Sequence, residues 1–172
     1  MHSKSFKFPI AICAVIIISA LIYISKTRIE PYERIPDTIT NFAALNVTDG
    51  NRTSFEKEKG TATLIVLSAS WCPACIAEIP VLKKLYTEYF SQKFKIIMIS
   101  EDDNIKIAAK FKKSQQLPWT VLLWNYELMN QLGNPRVIPV SYLIDTEGNI
   151  VYVEAGIIDE EKMRSKIERI IE

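Results

Sequence analysis

Hydrophobic residues fall into one long run near the N-terminus and several shorter runs beyond it. The long run, Phe8–Ile24, contains no charged residue. As a helix it would reach roughly 25 Å, close to the bilayer hydrocarbon thickness of about 30 Å. The residues before Lys26 lack the small-x-small pattern of a signal-peptide cleavage site. We therefore predict an uncleaved transmembrane anchor over residues 1–25, in preference to a core helix.

The residues around this run predict a linker but no orientation. Two positive residues precede the run (Lys4, Lys7) and two follow it (Lys26, Arg28), so the positive-inside rule does not choose a direction. Residues 26–39 combine prolines with charges and are interpreted as a juxtamembrane linker. The globular domain is then expected over residues 40–172.

The shorter runs predict alternating strands and helices. Ala62–Ala69 and Phe94–Ser100 are almost continuously apolar, which is typical of strands buried on both faces. Between them, a helical pattern begins at Pro73 and continues to about Phe90. The other predicted strands are 42–47, 120–124, 140–144 and 149–153. The other predicted helices are 103–115, 126–132 and 159–172. Asp103 is expected to cap the first of these helices, and Asp159 the last. This order predicts an α/β fold with a central sheet flanked by helices.

Composition and charge narrow the classes of function. The chain has 172 residues, of which 48% are hydrophobic and 24% are charged, so a folded core is expected rather than disorder. A net charge of +1 gives no field that would recruit nucleic acid, and we expect no nucleic-acid partner. Three cysteines are too few for a scaffold held together by disulfides.

Two of the three cysteines lie where redox chemistry is favoured. Cys72 and Cys75 directly follow a predicted buried strand and open a predicted helix. The unpaired N–H groups of a first helical turn stabilise a thiolate and lower its pKa below the usual value of about 8.5. Pro73 suits this first turn because its missing N–H is not needed there. The spacing predicts Cys72 as the nucleophile and Cys75 as the thiol that resolves the mixed disulfide.

Other interpretations of the cysteine pair are weaker. A zinc site needs about two more ligands, and the remaining His and Cys residues are only His2 and Cys13, both at or within the predicted anchor. We therefore expect no metal and no other cofactor. A pair of inert core cysteines remains open, but the strand-to-helix position disfavours it.

A glutamate shares one helical face with the second cysteine. Cys75, Glu78, Leu82, Leu85 and Tyr89 recur at steps of three and four residues. Burial in this stripe would raise the pKa of Glu78 toward neutrality and make it a candidate acid–base group for Cys75. The alternative is a solvated glutamate at the edge of the stripe that pairs with Lys83 or is simply hydrated.

These motifs resemble the thioredoxin superfamily. Trp71-Cys-Pro-Ala-Cys75 resembles its redox motif, Pro80 its helix-kinking proline, and Ile138-Pro139 its cis-proline segment. The resemblance implies a thioredoxin-like fold with a central mixed sheet. It also implies that Trp71, Pro73, Ile138 and Pro139 lie where the client chain binds.

Within the superfamily, the chain is similar to the membrane-anchored TlpA/ResA/DsbE group over roughly residues 40–171. Glu78 matches the glutamate that this group carries three positions after the second cysteine. The resemblance implies an extracytoplasmic, single-pass membrane protein that reduces client disulfides. The group's clients include apocytochrome c during cytochrome c maturation, and its electrons come from a membrane thiol donor. Two alternatives stay open: an oxidase or isomerase of the same fold, and a non-enzymatic binding module.

Overall fold

The structure is a computed structural model that describes residues 8–26 and 34–172. The chain divides into two compact units, residues 1–30 and 31–172. In the first unit, helix α1 (Phe8–Lys26) covers the apolar run of the predicted anchor, and its residues 12–23 are exposed. Within the described ranges, no helix meets the length and hydropathy needed to cross a membrane. The predicted helix is confirmed, and its role as a membrane anchor stays a prediction. Lys4, Lys7, Arg28 and part of the linker lie outside the described residues.

The second unit contains seven strands and five α-helices within the described range. The strands are β1 (Ala43–Leu45), β2 (Arg52–Ser54), β3 (Ala62–Ser68), β4 (Phe94–Ser100), β5 (Thr120–Leu123), β6 (Val140–Ile144) and β7 (Ile150–Ala155). The helices are α2 (Phe55–Glu58), α3 (Pro73–Tyr89), α4 (Ile105–Ser114), α5 (Tyr126–Gln131) and α6 (Glu160–Ile171).

Five strands form the central mixed sheet that the sequence predicts. Their order is β5-β4-β3-β6-β7, with β3, β4 and β5 parallel and with β6 antiparallel to both β3 and β7. Strand β3 is central, and all seven of its residues are buried. Its continuous apolar pattern follows from this position, because helices or loops cover both faces of the sheet.

Alternate residues of β3 contribute to two apolar layers. Leu64 and Val66 face the layer beneath α3, α4 and α6. Ile65 and Leu67 face the opposite layer, which β1, α2 and α5 cover. The segment before the sheet also protects both of its edges. Val47 N donates to Val121 O at 3.0 Å beside β5, and Ile39 N donates to Gly148 O at 2.8 Å beside the β6–β7 turn.

Most predicted elements are confirmed, with two corrections and two omissions. Asp103 does not cap α4, because the helix begins one residue later and Asn104 accepts from the N–H groups of Lys106 and Ile107. The strand predicted over 42–47 is shorter, Ala43–Leu45. It pairs with β2, which the sequence pattern did not predict, and α2 was also missed.

Candidate active site

The cysteine pair closes a disulfide at the start of α3. Cys72 is the N-cap residue, and Pro73 is the first residue of the helix. The Cα atoms of Cys72 and Cys75 are 5.3 Å apart, and their sulfur atoms are bonded. The backbone N–H of Cys75 donates to Cys72 Sγ at 3.2 Å. The expected placement of a sulfur at unpaired helical N–H groups is therefore confirmed, and it favours a thiolate on Cys72 in the reduced protein.

The two cysteines differ in their access to solvent. Cys72 is 5% exposed, whereas Cys75 has no exposed surface. On the outer side of the motif, Trp71 is 64% exposed and Pro73 is also exposed. Because Cys72 is the cysteine of the pair with any exposed surface, we expect an incoming disulfide to meet it first. The proposed contacts of Trp71 and Pro73 with a client remain predictions.

The Ile138-Pro139 segment lies against the disulfide. Its peptide bond is cis, as the resemblance implied. The carbonyl oxygen of Ile138 is 3.8 Å from Cys72 Sγ, and the Ile138 side chain packs on Ala69, Cys72 and Cys75. Pro139 is buried, and its carbonyl accepts from Gly156 N at 2.8 Å. The Ile138-Pro139 segment, which leads into β6, therefore lies beside the reactive sulfur. We expect the backbone of a client to bind along this segment.

Glu78 lies inside the protein, one helical turn after Cys75. It has no exposed surface, and within the described residues neither carboxyl oxygen lies within the distance and angle limits of a full hydrogen bond. Burial raises the pKa of Glu78 to about 8; the backbone N–H of Ile158 offsets part of this rise, and the nearby charge of Glu154 adds to it. The alternative of a hydrated Glu78 is wrong because the residue has no exposed surface, and Lys83 Nζ donates instead to Gln115 O at 2.7 Å.

A buried aspartate that the sequence reasoning missed holds the loop before the disulfide. Asp102 is 1% exposed and is the second residue after β4. Its Oδ1 accepts from the backbone N–H of Ser70 at 3.1 Å and from the Ser70 hydroxyl at 2.7 Å. Its Oδ2 accepts from the Ser100 hydroxyl at 2.7 Å. These bonds fix the backbone two residues before Cys72. Two consecutive acidic residues, Glu101 and Asp102, immediately after a buried strand were the signal that could have revealed it.

The family assignment follows from comparison with known proteins. A model of the Redoxin family matches residues 33–171. The chain belongs to the Redoxin family. Thioredoxin-like protein YneN of Bacillus subtilis is 25% identical over 128 residues, which are 73% of this chain and 74% of YneN. Thiol-disulfide oxidoreductase ResA of Bacillus cereus is 23% identical over 130 residues, which are 76% of this chain and 75% of ResA.

A solved structure extends the likeness to three dimensions. The crystal structure of a thiol:disulfide interchange protein from Chlorobium tepidum has a TM-score of 0.70 and 24% identity, and the match covers 81% of this chain and 99% of that one. This likeness confirms the thioredoxin-like fold. Redoxin membership and the closed Cys72–Cys75 pair together support thiol–disulfide oxidoreductase activity.

Proposed function

We propose that this Redoxin-family chain is a membrane-tethered, extracytoplasmic reductase of disulfides in client proteins. The observation that carries the proposal is the Cys72–Cys75 disulfide at the start of α3, with Cys72 Sγ 3.8 Å from the carbonyl oxygen of Ile138. A dithiol in this position can exchange with a client disulfide on the surface while its second sulfur stays protected inside.

The proposed reaction transfers two electrons and two protons to the client. In the reduced protein, the Cys72 thiolate attacks one sulfur of the client disulfide, and the other client sulfur leaves as a thiolate that takes up a proton. Cys75 then loses its proton and attacks Cys72 Sγ, which releases the second client thiol and closes Cys72–Cys75. A thiol donor at the membrane must reduce this disulfide before the next cycle.

Glu78 supports the second step. A carboxyl group with a pKa of about 8 is protonated in roughly ten molecules for each ionised one at pH 7. Its ionised form can accept the proton of the Cys75 thiol inside a site that excludes bulk water. Because Cys75 and Glu78 lie on the same face of α3, the acceptor is next to the thiol that needs it.

An insulin-reduction assay tests the activity. The full chain in detergent, supplied with dithiothreitol, should accelerate insulin reduction, and Cys72→Ser should react at the background rate. Cys13→Ser changes the free cysteine of α1 and serves as the matched control that keeps full activity. Equal background rates for the wild type and Cys72→Ser would refute the enzyme proposal.

The cellular location is proposed from the sequence of the N-terminal segment. Its uncharged run Phe8–Ile24 supports attachment to the cytoplasmic membrane, with the Redoxin domain on the outer side where disulfides persist. An alkaline phosphatase reporter fused after Glu172 should be active, and a fluorescent reporter that matures only in the cytoplasm should be dark. The reverse pattern would contradict this location.

The client is proposed to be an extracytoplasmic protein with an exposed disulfide, such as an apocytochrome c before haem attachment. Cys75→Ser removes the resolving sulfur, so the mixed disulfide on Cys72 should accumulate. Mass spectrometry of complexes released by dithiothreitol identifies the captured clients. Capture of haem-free c-type cytochromes would support the proposed client, and their absence while other clients are captured would contradict it.

A further inference from the structure

A groove beside the disulfide has no role in the exchange reaction described above. It lies between α4 and the loop that precedes Cys72, has a volume of about 310 Å³, and is called here the α4 groove. Its lining residues are Ser70, Ile107, Lys110, Phe111 and Ser114. Ile107 is 41% exposed at the rim, whereas Phe111 is 6% exposed. The groove therefore offers an apolar surface that is open to solvent.

The α4 groove lies close enough to the reactive sulfur for a few residues of an extended client chain to span the distance. Ser70 precedes Cys72 by two positions, so their Cα atoms are at most about 7 Å apart. Asp102 fixes this side of the groove through the Ser70 hydroxyl at 2.7 Å. In a mixed disulfide, the client cysteine has its Cα about 5.5 Å from that of Cys72. An extended client chain advances about 3.3 Å per residue, so residues two to four positions from its cysteine reach the groove.

The charge of α4 favours an acidic occupant. This helix carries Lys106, Lys110, Lys112 and Lys113 and no acidic residue. Lys112 Nζ donates to Trp119 O at 2.7 Å, which directs its ammonium group to that carbonyl. Lys110 lines the α4 groove, whereas Lys113 lines a different groove with Val47 and Thr48. Lys110 is the charged residue among those that line the α4 groove, so it is the cation that a chain bound there would meet.

We propose that the α4 groove binds the client segment next to the client cysteine, with an apolar side chain against Ile107 and Phe111 and a carboxylate at Lys110. This inference rests on the proposed function, because it assigns sequence preference to the same exchange site. In an extended chain, side chains two positions apart lie on the same side. An apolar residue two positions from the client cysteine and an acidic residue four positions from it would therefore meet the apolar residues and Lys110, respectively. The preferred clients are disulfide proteins with this local sequence.

Activated peptides test the preference in the full-length chain. Each peptide has a central cysteine bonded to thionitrobenzoate, whose low thiol pKa makes it the leaving group and whose colour reports the reaction. Leucine stands two positions, and glutamate four positions, on each side of the cysteine, with serine elsewhere. One comparison peptide replaces glutamate by lysine, and another replaces leucine by serine. Dipyridyl disulfide, a small neutral disulfide that releases a coloured thiopyridone, measures the reactivity of Cys72 without a charge or a side chain for the α4 groove to bind.

The expected result is a preference that depends on Lys110. The reduced wild type should react about threefold faster with the glutamate peptide than with the lysine peptide, the size of effect that a solvent-exposed ion pair gives. Lys110→Glu should reverse this order, and Lys113→Glu, the same change on the same helix, should retain it. Ile107→Asn should reduce the preference for leucine over serine. All variants should react with the small disulfide at the wild-type rate.

Two results would overturn the inference in distinguishable ways. The first is that the wild type reacts equally with all peptides, or that Lys110→Glu and Lys113→Glu change the preference equally. In that case the α4 groove does not recognise the client sequence, and the proposed function stands. If the wild type reacts with the small disulfide but with none of the peptides, the proposed reduction of client proteins fails, and the inference fails with it.

Discussion

Replacing Glu78 by glutamine should stabilise the oxidised protein at neutral pH while slowing the exchange reaction. Glutamine has nearly the size and shape of a protonated glutamate but cannot ionise. In the folded protein, burial raises the pKa of Glu78 from its ordinary value of 4.5 to about 8. Between these two values the folded state keeps a proton that the unfolded state has lost. Stability therefore falls as pH rises through this interval, and the glutamine variant escapes the loss.

The size of the effect follows from the two pKa values. Each pH unit that lies well between them costs the wild type about 1.4 kcal/mol. Allowing for partial ionisation near both ends of the interval, the wild type loses about 3 kcal/mol relative to Glu78→Gln from pH 5 to pH 7.5. This loss is a large fraction of the stability of a typical domain, which is about 5–15 kcal/mol.

Urea denaturation of the two oxidised proteins between pH 5 and pH 7.5 measures this difference. Subtracting the two free energies of unfolding cancels the titration of all groups that the proteins share. Glu127→Gln changes an exposed carboxylate and is the matched control. In the reduced proteins, the rate at which Cys75 resolves a mixed disulfide should fall in Glu78→Gln, and its inflection near pH 8 should disappear.

A difference in unfolding free energy that stays constant over this pH range would refute the reasoning about Glu78. It would mean that Glu78 ionises alike in the folded and unfolded states, so that burial does not hold its proton. An unchanged resolving rate with an unchanged pH profile would separately remove Glu78 from the reaction.

Two further predictions concern the residues around the disulfide. Asp102→Ala should lower the free energy of unfolding by about 2–4 kcal/mol, since Ser70 and Ser100 lose their buried acceptor. Urea denaturation checks this value. The reaction of Cys72 with a small disulfide should also slow, because the loop before Cys72 is no longer held by Asp102. A loss below that of Ser70→Ala would contradict it. Leu82→Ala opens a cavity under α3 and should cost about 2–5 kcal/mol, with an unchanged exchange rate per folded molecule; a slower rate at full folding would show that this stripe also shapes the site.

The sequence predicts the core of the fold because burial leaves a clear pattern. The strand predicted over Phe94–Ser100 is observed with the same bounds, since it lies inside a sheet that is covered on both faces. The stripe from Cys75 to Tyr89 is buried as its spacing predicts. Glu78 was identified for the same reason: a carboxylate at a buried position of a regular helix stands out against its apolar neighbours.

The missed features depend on contacts that local patterns do not encode. Asp102 meets Ser70 only because β3 and β4 are parallel and in register, with Ser68 opposite Ser100, so the residues that follow both strands come together at one edge. Strand β2 has three residues, none of them buried, and so carries no hydrophobic periodicity. At the start of α4, Asp103 and Asn104 are both good caps, and the backbone conformation decides between them.

The central claim is that, in the reduced protein, Cys72 is the accessible and ionised cysteine, whereas Cys75 is buried and reacts only in the second step. Timed alkylation of the reduced Cys13→Ser protein with iodoacetamide at pH 7, followed by mass spectrometry of each cysteine peptide, tests it directly. We predict that Cys72 is modified first, faster than an unstructured thiol, and that Cys75 follows much more slowly. Equal and slow modification of both cysteines would contradict the claim.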